Sequence, residues 1–341
     1  MRGAAMTGTP QFLTQTPAAA ALVDEALRMI HLSSAVFLRA EFSAPWSIVS
    51  LGPRAYAEAL CPAAERLILF HVGLEGRCTV QMDSGEEATL SAGEAVVVPY
   101  CDRHKMGHPR VTRPVPFQTL IPPLPWRAPP VVRHGGGGET TRILCGYLNC
   151  EDLLFQPLLK ALPPLIHVRP ATASGAAWLR ASAQYALEET TAWSGIGARL
   201  PELLLVECMR QYLAGLPEER TGWLAALRDP VVGGALALLH ASPGDSWTIA
   251  RLARQVAVSR TVLGERFAAL LGVPPMRYLL QWRLQLAAYL LRTTAETLPE
   301  IAARVGYESD AAFSRAFKRG VGAPPASWRT KSQASALRRT G

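Results

Sequence analysis

The sequence predicts an α+β protein of two domains: an N-terminal antiparallel β-barrel followed by helices, and a C-terminal all-α pair of helix-turn-helix units. Three observations predict it. The 341 residues are 49% apolar, enough for more than one core at the usual ~100–200 residues per domain. Short apolar runs broken by Gly, Pro and charge fill residues 36–120, whereas from residue 176 the texture turns to Ala, Leu, Glu and Arg without β-branched runs. Residue types then recur with a period of about fifty in the last third, the mark of a duplicated unit. The expected divisions are a disordered tail over 1–19, a sheet domain over 20–172, a helical coupling or dimerisation segment over 173–216, a linker over 217–228, the paired units over 229–330 and a basic tail over 331–341.

Residues 1–228 hold 20 Lys+Arg and 20 Asp+Glu, and residues 229–341 hold 15 and 7, so the whole net charge of +8 lies in the last third. A neutral part joined to a basic part is expected when one domain meets a polyanion and the other does something else. A solvated basic surface has the same signature, so charge alone only nominates nucleic acid. No run of eighteen apolar residues occurs, which argues against a membrane span. Asp24 and Glu25 interrupt the apolar stretch that an export signal would need. Six cysteines, at 61, 78, 101, 145, 150 and 208, are scattered without metal-finger spacing. Neither a disulfide framework nor a zinc finger is indicated, and a reducing cytoplasm is expected.

Taken in order, Leu67-Ile68-Leu69-Phe70, Cys78-Thr79-Val80 and Ala95-Val96-Val97-Val98 read as strands at barrel or sandwich spacing. Pro114 to Pro130 and Gly135 to Gly138 are loops, since Pro cannot donate to a ladder and Gly weakens a strand. The glycine run lacks the following Gly-Lys-Ser/Thr of a phosphate-binding loop, so nucleotide binding has little support. Helices are expected at about Ser174 to Ala192 and Pro201 to Ala214. The second carries Leu203, Leu204, Leu205, Val206, Met209, Tyr212 and Leu213. An apolar stripe that wide is buried on more than one side; packing on its own domain and a dimer seam both satisfy it.

In the first repeat copy Leu252-Ala253, Val256, Ser259, Leu263, Phe267, Gly272, Pro275 and Tyr278 follow in order; in the second, Ile301-Ala302, Val305, Ser309, Phe313, Phe317, Gly322, Pro325 and Trp328. The offset is 49 before the turn and 50 after it, so the second turn holds one added residue. Each copy reads as helix, tight turn, helix. A small Ala253 or Ala302 admits a close crossing, with Leu252 or Ile301 filling the core beside it. Ser259 or Ser309 caps the second helix, and Leu263/Phe267 or Phe313/Phe317 bury one stripe at i, i+4. The other face stays free to enter a major groove. Thr297-Leu298-Pro299-Glu300 is a capping box with Pro in the first turn. Gly306 takes positive φ cheaply, where the first copy has Ala257, a departure costing about 1 kcal/mol if that residue is left-handed. Met276 to Arg292 has the composition of one continuous helix, a rod of roughly 25 Å at 1.5 Å per residue. Such a rod can hold two reading helices near the ~34 Å separation of successive major grooves.

These residues carry a resemblance: Asp229 to Arg329 resembles the AraC/XylS DNA-binding domain, most closely over IAARVGYESDAAFSRAFKRGVGAPPASWR at 301–329. The resemblance implies groove-facing residues at Arg260, Thr261, Gly264 and Glu265 in the first reading helix, and at Asp310, Ala311, Ser314 and Arg315 in the second. Gly264 and Glu265 are poor partners for phosphate or guanine, a deficit that Arg260 and Arg266 offset through the backbone. Arg315 can bond guanine O6 and N7 together, a contact worth about 1–3 kcal/mol of discrimination. Lys318, Arg319, Arg304 and Arg283 are expected on phosphate or in solvent.

The stretch from 20 to 170 resembles the cupin domain fused to a subgroup of these regulators. Its carriers are Pro45-Trp46, LILFHVG at 67–73, LSAGEAVVVP at 90–99, His104, and HGGGGETTRILCG at 134–146. Metal-binding cupins use two His and a Glu plus a later His. Here His71 and His104 stand at the outer sites, Gly73 replaces the second His, and no Glu follows. Whether a metal binds is left open, since His134, Glu139 or Cys145 would have to complete the set; otherwise both histidines are hydrogen-bonded core groups, and no cofactor is expected. Cys145 and Cys150, five apart across a glycine, are candidates for a redox pair, against the plainer reading of inert core thiols.

The expected function is a sequence-specific DNA-binding transcriptional regulator, not an enzyme. Its signal is a small molecule or an oxidant, sensed at candidates His71, His104, His134, Cys145 and Cys150. Expected partners are promoter or operator duplex DNA, RNA polymerase and a second copy as homodimer, with no membrane. A metal-dependent cupin enzyme with a DNA-binding appendage is the alternative.

Overall fold

The computed structural model describes residues 31–60, 67–108, 113–122, 126, 130–151, 162–188, 196–214 and 222–330. The tails expected at 1–19 and 331–341, and Cys61, lie outside them.

The N-terminal part is built from β1 (His31–Ser43), β2 (Ser47–Val49), α1 (Pro53–Leu60), β3 (Leu67–Glu75), β4 (Arg77–Met82), β5 (Glu87–Ser91), β6 (Ala95–Val98), β7 (His104–Gly107), β8 (Val115–Pro116), β9 (Val131–Gly135), β10 (Thr140–Glu151) and β11 (Ile166–Val168). The strands form two sheets, ordered β11-β6-β3-β10-β1-β9 and β5-β4-β7-β2-β8. The expectation of a closed antiparallel barrel is corrected on two counts. Among the described residues no ladder joins one sheet to the other, and the β1–β9 and β2–β8 pairs are parallel.

Strand period two decides what each face meets. In β3, Leu67 and Leu69 join the apolar core between the sheets, whereas Ile68, Phe70 and Val72 join a cluster on the outer face. β6 divides the same way, with Val96 and Val98 inside and Ala95 and Val97 outside. The outer face is covered by α2 (Ala173–Glu188) and α3 (Ile196–Ala214), through Leu179, Ala183, Leu204, Leu205, Cys208 and Met209. α3 begins five residues before Pro201, so that proline sits inside the helix, at the loss of one backbone bond.

The C-terminal part runs α4 (Trp223–Arg228), α5 (Pro230–Ala241), α6 (Ile249–Gln255), α7 (Arg260–Leu271), α8 (Pro275–Thr293), α9 (Leu298–Arg304) and α10 (Asp310–Val321). The expected linker over 217–228 is thereby corrected: its last residues are a helix, with Ala226 and Leu227 buried, packed against α5 and α7. The approach is close, since a Cβ on Gly233 would lie 2.6 Å from the Leu227 carbonyl oxygen. Asp229 makes the junction, its side chain accepting from the N–H groups of Val231 and Val232 ahead of Pro230, an N-cap followed by Pro at N1. α8 is continuous for 19 residues, about 28 Å long.

Candidate nucleic-acid interface and buried polar row

Each helical unit is assembled by the same local chemistry. Ser259 accepts from Val262 N and Ser309 from Ala312 N, both at 3.2 Å. Thr248 caps α6, and Thr297 with Glu300 forms a complete capping box at α9. Gly272 and Gly322 end α7 and α10 in the left-handed conformation. In the turns Val258 N bonds Ala253 O, and Tyr307 N bonds Ala302 O, so the added residue of the second copy falls between Tyr307 and Ser309. Leu252, Ala253, Leu263, Phe267, Ile301, Ala302, Phe313 and Phe317 are all buried. The opposite faces are open: Arg260, Thr261, Glu265 and Arg266 on α7, and Asp310, Ala311, Arg315 and Lys318 on α10, are exposed, with Gly264 and Ser314 half-buried.

The two faces differ in charge. On α10, no hydrogen bond or ion pair among the described residues engages the side chain of Arg315 or Lys318, which leaves two cations uncommitted one turn apart. On α7, Arg266 is paired with Asp229 at 3.1 Å, and a Cβ on Gly264 would meet nothing within 4 Å. Two expected phosphate contacts are differently occupied. Arg304 pairs with Glu296 at 2.6 Å. Arg283 donates to the backbone oxygens of Pro243, Asp245 and Gly306, which corrects its assignment to solvent or phosphate.

Between the sheets, β3 and β10 place His71 directly opposite Cys145, both on the inward face. His71 Nδ1 lies 3.0 Å from Cys145 Sγ, and His71 Nε2 lies 3.2 Å from His104 Nε2 on β7. His104 Nδ1 lies 2.9 Å from the Asp102 carbonyl oxygen and 3.1 Å from Ser50 Oγ. These contacts assign every proton in the row. A carbonyl only accepts, so His104 Nδ1 carries hydrogen. Burial pushes His104 below its ordinary pKa of 6.5, leaving it neutral with Nε2 as acceptor. His71 therefore donates from Nε2. Desolvation lowers His71 well below 6.5, with His104 adding to it, so His71 Nδ1 is also an acceptor. The hydrogen facing it belongs to the Cys145 thiol, whose pKa burial raises. The row is Cys145 to His71 to His104 to the Asp102 carbonyl, all neutral.

A cavity of about 10 Å³ adjoins it, lined also by Phe42, Ile48, Tyr56, Met106 and Ile143. His71 turns opposite ring nitrogens on Cys145 and His104, so the three do not converge on one point, and no group of three His, Cys, Asp or Glu among the described residues is arranged to hold a metal ion. Gly73 has no room for the second histidine of metal cupins: a Cβ there would stand 2.2 Å from the Ser91 carbonyl oxygen. His134 sits half-buried on β9 and does not line the cavity. Cys145 and Cys150 lie on the single strand β10. Five residues of strand span roughly 16 Å, against a limit of ~7 Å between Cα atoms for a disulfide. That spacing does not fit a direct disulfide between these two candidates within one chain. Ser50, Met106 and Asp229 were not singled out from sequence; only Asp229 had a local signal, the Asp-Pro step at a helix start.

A sheet-rich domain joined to two helix-turn-helix units defines a two-part DNA-binding protein. The cupin family model matches residues 21–214, and the helix-turn-helix domain model matches 252–331. An AraC-like transcription regulator of Streptomyces lividans is 35% identical over 78% of this chain and 88% of its own. The HTH-type transcriptional regulator AlkR of Acinetobacter baylyi is 29% identical over 89% and 97%, and the RCS-specific HTH-type transcriptional activator RclR of Escherichia coli is 26% identical over 78% and 85%. The DNA-binding domain of AdpA in complex with a target DNA is similar over 31% of this chain and 96% of that one, at 29% identity and a TM-score of 0.30. The chain belongs to the AraC family of DNA-binding transcriptional regulators with an N-terminal cupin domain. No helix among the described residues is long and apolar enough to cross a membrane.

Proposed function

We propose that this regulator reads a specific duplex operator with the exposed faces of α7 and α10, laid into successive major grooves by α8. We further propose that the Cys145–His71–His104 row is where the N-terminal domain receives its signal. The observation that carries the first part is the repeat itself: two units capped and buried alike, each leaving its 260–266 or 310–318 face open. Arg315 reads a base, Lys318 neutralises phosphate, and α7 contributes less sequence information because Arg266 is held by Asp229.

The second part is supported by the row itself, polar side chains buried side by side at 3.0 and 3.2 Å, and by the small size of the cavity beside it. The cavity's ~10 Å³ accommodates about one water-sized molecule, far below the ~300–1,000 Å³ of ordinary small-molecule sites. The oxidant we propose is hydrogen peroxide, the smallest peroxide, whose two oxygens need somewhat more room than one water; it meets a thiol whose proton faces His71 Nδ1. As the proton moves to His71, sulfur forms an S–O bond, the O–O bond breaks, and the leaving hydroxide takes the proton to become water. Cys145 is left as a sulfenic acid. RNA polymerase and a second copy on an adjoining half-site are the further partners this reading expects.

The test is operator selection from a randomised duplex pool by the full-length chain, followed by footprinting with and without peroxide or hypochlorite. Arg315→Ala is expected to weaken binding by about 1–3 kcal/mol and relax one base position, and Cys145→Ser to abolish the oxidant response. An unchanged site preference removes Arg315 as a reader; an oxidant response that survives Cys145→Ser removes the row as the sensor.

A further inference from the structure

We infer that Arg283 sets the half-site spacing this chain accepts on DNA, an inference that rests on the reading by α7 and α10 proposed above. α8 is shared between two cores. Tyr278, Leu279 and Trp282 belong to the cluster beneath the first unit, whereas Leu284, Ala287, Ala288 and Leu291 belong to that of the second. Residue 283 falls between the two sets. Its guanidinium donates from Nε to Pro243 O at 2.7 Å, from Nη2 to Asp245 O at 2.7 Å and from Nη1 to Gly306 O at 3.4 Å.

The first two acceptors lie on the loop between α5 and α6, in the first unit. The third lies in the turn between α9 and α10, in the second. The joint has no slack: a Cβ on Gly306 would stand 2.6 Å from Arg283 Nη2 and from Gly244 O, and one on Gly244 would stand 2.8 Å from Arg304 O. Otherwise the crossing is bridged by Leu286 and Tyr289, partly buried side chains that pack against both clusters. Apolar contacts are non-directional, whereas a planar fork on three carbonyls holds one orientation. An ammonium group cannot reproduce that fork.

Orientation matters because one added base pair moves the next half-site by about 3.4 Å and turns it by about 35°. A joint that holds the angle between α7 and α10 therefore selects spacing. Because Arg283 is engaged by carbonyls, its loss changes spacing preference and not the number of phosphates neutralised.

The test uses duplexes selected from a randomised pool by the full-length chain, resynthesised with one base pair inserted or removed between the two contacted segments. Affinity is measured for wild type, Arg283→Lys and Arg283→Met at several salt concentrations. Wild type is expected to discriminate sharply among the spacings. Both variants are expected to lose about tenfold of that discrimination, the usual size of coupling within one network, with the salt slope kept. Arg283→Lys behaving as wild type while Arg283→Met loses about one unit of salt slope would make Arg283 a phosphate contact and overturn the inference. So would a wild type indifferent to spacing, whatever the variants do. A wild type that selects no duplex would sink the DNA reading itself, and this inference with it.

Discussion

Ala257 and Gly306 hold the same place in the two turns, and both are left-handed, with φ of 55° and 78°. For an alanine this conformation costs roughly 1–2 kcal/mol because Cβ crowds the following carbonyl. Ala257→Gly is therefore expected to stabilise the first unit by about 1 kcal/mol, less what the freer unfolded chain takes back. Thermal unfolding of the full chain checks this; a lowered midpoint would mean that the methyl group is needed for packing. Gly306→Ala runs the other way, since its Cβ also meets Arg283 and Gly244. One position in a repeat can thus carry strain in one copy and a joint in the other.

At the scale of strands and helices, the buried row ties β3, β7 and β10 together and makes the sheet domain sensitive to pH. His71 and His104 stay neutral in the folded chain, whereas unfolded imidazoles take up protons below about 6.5. The stabilisation is present above that pH and is lost as pH falls toward the depressed folded values, by about 1.4 kcal/mol per pH unit for each proton. The buried thiols act at the other end. Burial pushes Cys78, Cys101 and Cys208 from 9.0 up to about 12, so their contribution is full below pH 9.0 and is lost as pH rises through that interval. Stability should peak between these limits. Unfolding midpoints across the range, with proton uptake approaching two per chain at the acid end, test the point; a profile flat from pH 6.5 to 5 would contradict the neutral assignment.

Over the whole molecule, one apolar cluster runs from the outer face of the first sheet through α2 and α3 to α4, α5, α7 and the first half of α8, whereas the second unit keeps its own cluster. Changes around Cys145 therefore have a packed route to α7, by way of Leu144 on the other face of β10 and Leu227 on α4, but reach α10 only across the Arg283 joint. Hydrogen exchange on the oxidised chain should alter protection in α4, α5 and α7 more than in α10. Equal changes in α7 and α10 would show that the two units respond as one body.

The helical third was legible because its information is local. Caps, turn glycines and an i, i+4 stripe lie within a few residues of one another, and duplication printed them twice with a single added residue. Asp229 belonged to the same class, through its Asp-Pro step. The sheet domain was legible only in outline. His71, Cys145, His104 and Ser50 are separated by up to 95 residues and meet because β3 opposes β10 in one register while β7 stands in the facing sheet. Nothing within the neighbourhood of any one of them signals that register. The same holds for Arg283, whose position and charge suggested phosphate until packing brought three carbonyls to it. Local chemistry determined the paired helices of the repeat and their caps from sequence alone, but not α4 in the stretch expected as a linker. Which side chains share a proton, and which cation is already engaged, was decided only when distant segments were brought within hydrogen-bonding distance.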